Sequence, residues 1–183
     1  MKELRFHGRR LPRYDHLASF IEAARLLAQA ALAEGKQAQL RPPWLFLRGY
    51  TPEAAHLRVA TEPIETYSQE YVLDLVAVTD ASLVKEVDVT AGLKDTGVLL
   101  VNSTGAVDLN TRARVAVADL TGVAEQFGID PALPVAAAAA ALSGTVDREA
   151  LEGVVEAETK GADRRRALQA LRAAGQAVGL PVR

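Results

Sequence analysis

Two short stretches of the chain are apolar almost without interruption. Leu73 to Val78 and Gly97 to Val101 each run as a hydrophobic segment that stops at polar residues, Thr79-Asp80 and Asn102-Ser103. That pattern predicts strands covered on both faces in the interior of a parallel sheet. The start of the chain reads differently: Leu4 and Phe6 alternate with charged residues, which predicts a strand that Gly8 ends ahead of the basic run Arg9-Arg10-Leu11-Pro12-Arg13. Leu17, Phe20, Ala24, Leu27, Ala28 and Ala31 then recur at helical spacing up to Gly35. Ser19 with Glu22 spells a capping box for this helix, and Asp15 offers an earlier cap. A short extended piece follows, and Pro42-Pro43 interrupts regular structure before the apolar Trp44-Leu45-Phe46-Leu47. Further strands are predicted near Ala55 to Ala60 and Ala113 to Val117. Helices are predicted near Gly122 to Phe127, Val135 to Leu142, Arg148 to Glu158 and Asp163 to Ala174.

Strands that alternate with helices imply right-handed crossovers and a covered sheet. The predicted fold class is therefore α/β, a three-layer α/β/α sandwich with a mostly parallel or mixed central sheet. No linker or low-complexity run divides residues 1–183, so one domain is expected. Ala136 to Ala141 is the one biased segment. Alanine has the highest helix propensity and no side-chain entropy to lose, so this segment reads as a helix in close contact with a neighbour.

Composition removes several kinds of chemistry. The chain has no cysteine, which excludes disulfides, thiolate nucleophiles and cysteine ligation of zinc or iron-sulfur clusters. With 21 Lys and Arg against 23 Asp and Glu, the net charge of -2 provides no basic excess to follow a phosphate backbone, and no nucleic-acid partner is expected. The N-terminus lacks an apolar signal core and no run is long enough to span a bilayer, so a cytoplasmic protein with no membrane partner is expected. His7, His16 and His56 are too scattered to suggest a metal site. No nucleotide-cradle or hydrolase-elbow motif occurs.

Ligands of open parallel sheets bind beyond the carboxyl ends of the strands. Three loops qualify here: His7 to Arg13, Thr79 to Ser82, and Asn102 to Gly105. His7, Gly8, Arg9, Arg10 and Arg13, with His16 nearby, can hold an anionic group or form a solvated basic loop. Asp80 can act as a general base at a strand end or cap the following short helix, and capping is the commoner use of Asp there. Asn102 and Ser103 can donate to a ligand, and they are equally ordinary turn residues. Arg164-Arg165-Arg166 reads as a solvated helix face, or else as a surface for an acidic partner.

The segments Leu4-Arg5-Phe6-His7-Gly8-Arg9, Ala23 to Lys36 and Ala38-Gln39 resemble the opening of the gamma subunits of 2-oxoacid:ferredoxin oxidoreductases, of which pyruvate:ferredoxin oxidoreductase is the best-known kind. The similarity continues in order through Arg48-Gly49, His56 to Val59, Glu62-Pro63-Ile64, Ala91 to Lys94 and Gly97 to Asn102. It includes the alanine-rich stretch before Asp147 to Glu158. Where the family carries a G-x-G-G-Q-G loop after its first strand, only Gly8 remains, followed by a longer segment from Arg9 to His16. A second family stretch, Arg-Arg-Gly-Ala-Pro, is reduced here to Leu47-Arg48-Gly49-Tyr50-Thr51-Pro52.

The resemblance implies a subunit that is not catalytic alone, belonging to an oxidoreductase that acts on 2-oxo acids with ferredoxin as acceptor. Its cofactors, thiamine diphosphate, iron-sulfur clusters and coenzyme A, are implied on partner subunits, and none on this chain alone. Taken together, the strand-end loops and the resemblance give as ligand-binding candidates His7, Gly8, Arg9, Arg10, Arg13, Arg48, Gly49, Asp80, Asn102 and Ser103, with no catalytic and no metal-binding residue. Two other readings stand beside it. One is a free-standing protein that binds an anionic small molecule, a nucleotide or acyl-CoA, through residues 7–16. The other is self-association through an apolar surface around Trp44 to Leu47.

Overall fold

The alternation at the start of the chain divides the molecule into two unlike sides. In the computed structural model, which describes residues 1–9, 18–43, 52–66, 68 and 71–178, strand β1 (Lys2–Arg9) buries Leu4 and Phe6 completely on one face. Its other face carries Glu3, Arg5 and His7. Gly8 does not end this strand. It sits in the ladder opposite Glu53, and a Cβ there would collide with Cδ1 of Phe20 and lie 2.7 Å from Oγ1 of Thr79. Phe20 is itself 1% exposed, so the glycine is required by close packing of strand on helix, where sequence pattern suggested a turn.

The remaining strands are β2 (Gln37–Arg41), β3 (Pro52–Ala60), β4 (Leu73–Val78), β5 (Leu93–Asn102) and β6 (Arg114–Ala118). They form one six-stranded sheet in the order β2-β3-β1-β4-β5-β6. β4 lies parallel to β1, β5 to β4 and β6 to β5, while β3 is antiparallel to both β1 and β2. The sheet is therefore mixed, with a parallel half continuing from β1 and an antiparallel half before it.

Among the described residues five helices follow the predicted sequence order: α1 (Ser19–Ala33), α2 (Leu120–Phe127), α3 (Ala132–Ser143), α4 (Arg148–Glu158) and α5 (Gly161–Ala177). α1 packs on β1, β2 and β3, and α3 on β4 and β5. Ala136, Ala138 and Ala139 are fully buried because α3 is enclosed by the other helices and the sheet, and the missing side-chain bulk lets these backbones approach. The capping box expected at Ser19 is absent. Ala18 holds the cap position with no side-chain bond, and Glu22 pairs with Arg25, which also grips Glu158 of α4. Arg164 is not simply solvated: it donates to the carbonyls of Glu156 and Thr159 at the end of α4. No helix among the described residues is long and apolar enough to cross a membrane.

The face opposite the helices has two coverings. Over β4 and β5 a 3-10 turn (Ala81–Lys85) and extended loops bury Val76, Val78, Leu83, Val89, Leu99 and Val101. Over β1 and β3 the covering is polar. Arg58, 1% exposed, donates from Nε to Glu3 Oε1 at 2.6 Å, and from its other nitrogens to Gln39 Oε1 and to the carbonyls of Thr66 and Ser68. Its guanidinium lies 4.5 Å from the Tyr71 ring centroid, and Glu3 Oε2 accepts the Val72 N–H. Removing one member of a buried ion pair strands the other charge in a low-dielectric site. Arg58→Met should therefore lower unfolding free energy by about 3 to 5 kcal/mol. Adding Glu3→Gln should recover part of that loss, as read by urea denaturation.

Candidate functional site at the carboxyl edge of the sheet

Parallel pairing brings the carboxyl ends of β1, β4, β5 and β6 to one edge, so three loops far apart in sequence meet there. His7 pairs in register with Val78, and Val78 with Val101, while the Thr79 N–H donates to the His7 carbonyl at 2.9 Å. His7, Gly8, Arg9, Asp80, Asn102 and Ser103 are thereby gathered together. Arg10, Arg13, Arg48 and Gly49 lie outside the described residues, as do His16 and the Trp44 to Leu47 segment.

Most of the gathered groups are engaged with one another. Arg9 donates from Nε to Asp80 at 2.7 Å, from Nη2 to Ser82 Oγ at 2.9 Å, and forms an ion pair with Glu86. Hydrogen bonds to Glu86 and Asp80 raise its pKa above the ordinary arginine range. Asp80 caps the 3-10 turn by accepting the Ser82 N–H. Burial works to raise the Asp80 carboxyl, but hydrogen bonds from Ser82 and the charge of Arg9 outweigh it and hold the pKa below the ordinary carboxylate value. Asn102, 9% exposed, donates to Thr79 O and Thr121 Oγ1 and accepts from the N–H groups of Leu120 and Thr121. Its amide is fully used in tying β4 and β5 to the first turn of α2. Ser103 closes a local turn with Gly105. What this edge offers is a rigid, internally bonded rim. Among the described residues no cluster of His, Asp and Glu could hold a metal ion.

His7 is the exception. It is 8% exposed, and its Nε2 is buried without a hydrogen-bond partner among the described residues. Its face of the sheet holds Arg5, His56, Arg58 and Tyr71, of which sequence reasoning weighed only His56, and that as a metal ligand. Arg5 Nε donates to His56 Nε2 at 2.9 Å, and Tyr71 stacks on the His56 ring at 4.1 Å. Arginine has no lone pair to offer, so His56 must be neutral with its proton on Nδ1. The signal for this group was present in the period-two spacing of Glu3, Arg5 and His7 on one strand and of His56 and Arg58 on another.

Burial first, then the charge of Arg5, pushes both imidazoles down to about 4. The ordinary histidine value is 6.5, so between the two pKa values the unfolded chain binds more protons than the folded one. The associated stability is complete above pH 6.5 and is lost as pH falls through that window. For the well-buried His7 the loss is on the order of 2 to 3 kcal/mol. Urea midpoints should fall from about pH 6.5 to 5, above the range where the depressed carboxylates of Asp74 and Asp80 titrate. His7→Gln should flatten that slope.

A concavity of about 240 Å³ lies on the helix side between α1, α3, α4 and α5, with Leu26, Ile129, Leu133 and Val155 in its lining. Glu22 and Glu158 at its rim are both held by Arg25.

Comparison with known proteins matches the chain to a family. The pyruvate ferredoxin/flavodoxin oxidoreductase family matches residues 20–177, from the first turn of α1 to the end of α5. The pyruvate synthase subunit PorC of Methanosarcina barkeri is 40% identical over 127 residues, which span 68% of this chain and 66%, just under two thirds, of that subunit. The pyruvate/ketoisovalerate oxidoreductases common subunit gamma of Thermococcus kodakarensis is 34% identical over 170 residues, covering 88% of this chain and 89% of the relative. The crystal structure of the pyruvate oxidoreductase subunit PORC of Thermotoga maritima superimposes with a TM-score of 0.79 at 27% identity, covering 96% of each chain. The chain belongs to the pyruvate ferredoxin/flavodoxin oxidoreductase family, and its kin there are the gamma subunits.

Proposed function

We propose that this chain, as one domain over residues 1–183, is the gamma-type subunit of a cytoplasmic 2-oxoacid:ferredoxin oxidoreductase acting on a pyruvate-like acid. Thiamine diphosphate and iron-sulfur clusters reside on its partners, which also engage coenzyme A. The observation that carries this reading is the likeness to the Thermococcus kodakarensis protein, by name a subunit common to pyruvate and ketoisovalerate oxidoreductases. The two acids differ in the apolar group beside the keto carbon, methyl against isopropyl. A subunit shared by two such enzymes is poorly placed to hold the pocket that separates those groups. Two features of this chain agree. It has no cysteine to ligate a cluster, and the described groups at its carboxyl edge are largely committed to one another.

On this reading the chain's own residues supply rigidity. Asn102 fixes the carboxyl ends of β4 and β5 against α2, and Arg9 with Asp80 and Glu86 fixes the end of β1 against the 3-10 turn. The alternative reading, anion binding through residues 7–16, loses Arg9 as a free cation.

Anaerobic affinity purification of the tagged chain from its native source tests the assignment. A thiamine-dependent chain and an iron-sulfur chain should come down with it, and 2-oxo acid-dependent ferredoxin reduction should need all of them. Recovery of the chain alone, or turnover by the chain alone, would refute the proposal.

A further inference from the structure

The two edges of the sheet are built differently. At one edge β2 presents Gln37, Gln39 and Arg41 and is braced by α1, a polar edge of the kind that resists further pairing. At the other, β6 reads Arg-Val-Ala-Val-Ala, and among the described residues no strand pairs with its outer side. Val115 and Val117 stand in register with Leu99 and Val101 and so continue the same apolar face. The 3-10 turn and loops that bury Leu99 and Val101 do not enclose Val115 and Val117, and Val115 is 36% exposed. Arg114 is exposed and has no ion pair or hydrogen bond among the described residues. A strand of β-branched residues with free N–H and C=O groups is a template for another strand.

We propose that the occupant of this edge is a second copy of the chain, whose own β6 adds antiparallel across a two-fold axis through Ala116. The sequence of the strand is self-complementary in that register. Val115 falls opposite Val117 of the second copy on both sides of the axis, so four valines line one face. Arg114 falls opposite Ala118, beside the exposed Asp119 that caps α2. The basic end of each strand thus meets the acidic end of the other, and no like charges are opposed. A parallel pairing in register would set Arg114 against Arg114. A one-residue slip of the antiparallel pair would take each valine off its valine partner. The antiparallel arrangement is isologous and closed, so it gives a dimer with one continuous sheet and no open-ended fibre.

The proposal stands apart from the functional reading, because it is measured on this chain alone. Since the chain has no cysteine, one introduced thiol is a clean reporter. At the axis the Cα atoms of two copies of residue 116 would lie about 4.5 to 5.5 Å apart, within disulfide reach. Ala116→Cys should therefore form a disulfide dimer under mild oxidation much faster than Val115→Cys or the exposed control Thr104→Cys. Light scattering of the unmodified full chain should give twice the 19.5 kDa monomer mass, and Val115→Lys should give the monomer with an unchanged circular dichroism spectrum. A monomer at every soluble concentration would overturn the proposal, as would cross-linking of Ala116→Cys no faster than the controls. So would a monomer whose Val115→Lys variant loses capture of the partner subunits, because the edge would then belong to a foreign strand.

Discussion

A guanidinium held inside the protein must have its donors matched, and the side of the sheet away from the helices is arranged around that requirement. Arg58 on β3 faces Glu3 on the neighbouring β1, and the pair is almost wholly withdrawn from water. Isolated, either charge would be untenable there; together, with the carbonyls of Thr66 and Ser68 and the ring of Tyr71, they form a satisfied network. The same network solves a topological problem. The chain leaves β3 on one side of β1 and must enter β4 on the other, passing the amino end of β1 while α1 fills the helix face. Arg58 and Glu3 supply the hydrogen bonds that the crossing backbone needs.

Once β4 is placed parallel to β1, the character of the opposite edge follows. Carboxyl ends of successive parallel strands converge, and small polar residues at those ends find one another across loops distant in the chain. In this protein they are used to lock the edge. Asn102 is committed to Thr79, Leu120 and Thr121, and Arg9 to Asp80, Ser82 and Glu86. The family match runs from the first turn of α1 to the end of α5.

Buried His7 and half-buried His56 show how a polar face is made compatible with a folded core. His7 and His56 remain uncharged at neutral pH because burial and the neighbouring arginines oppose protonation. His56 uses its lone pair to accept from Arg5, so an uncharged histidine helps stabilise a half-buried cation without adding charge to a crowded site.

The sequence by itself determined the element list. Leu73 to Val78 and Arg148 to Glu158 occur with the predicted bounds, and the other strands and helices lie within a few residues of expectation, because hydrophobic periodicity is a local record of which face is buried. It also determined the absence of thiolate chemistry and the close packing of the polyalanine helix. Only the tertiary structure decided that β2 and β3 run antiparallel, since nothing local encodes a strand's partner. It decided that Gly8 lies within a strand, since the reason is the position of Phe20. It decided that Arg25 bridges Glu22 and Glu158, since Glu158 is 133 residues from Arg25. And it brought His7 and His56 onto one face, where burial and the arginines around them, which no spacing along the chain reveals, set their chemistry.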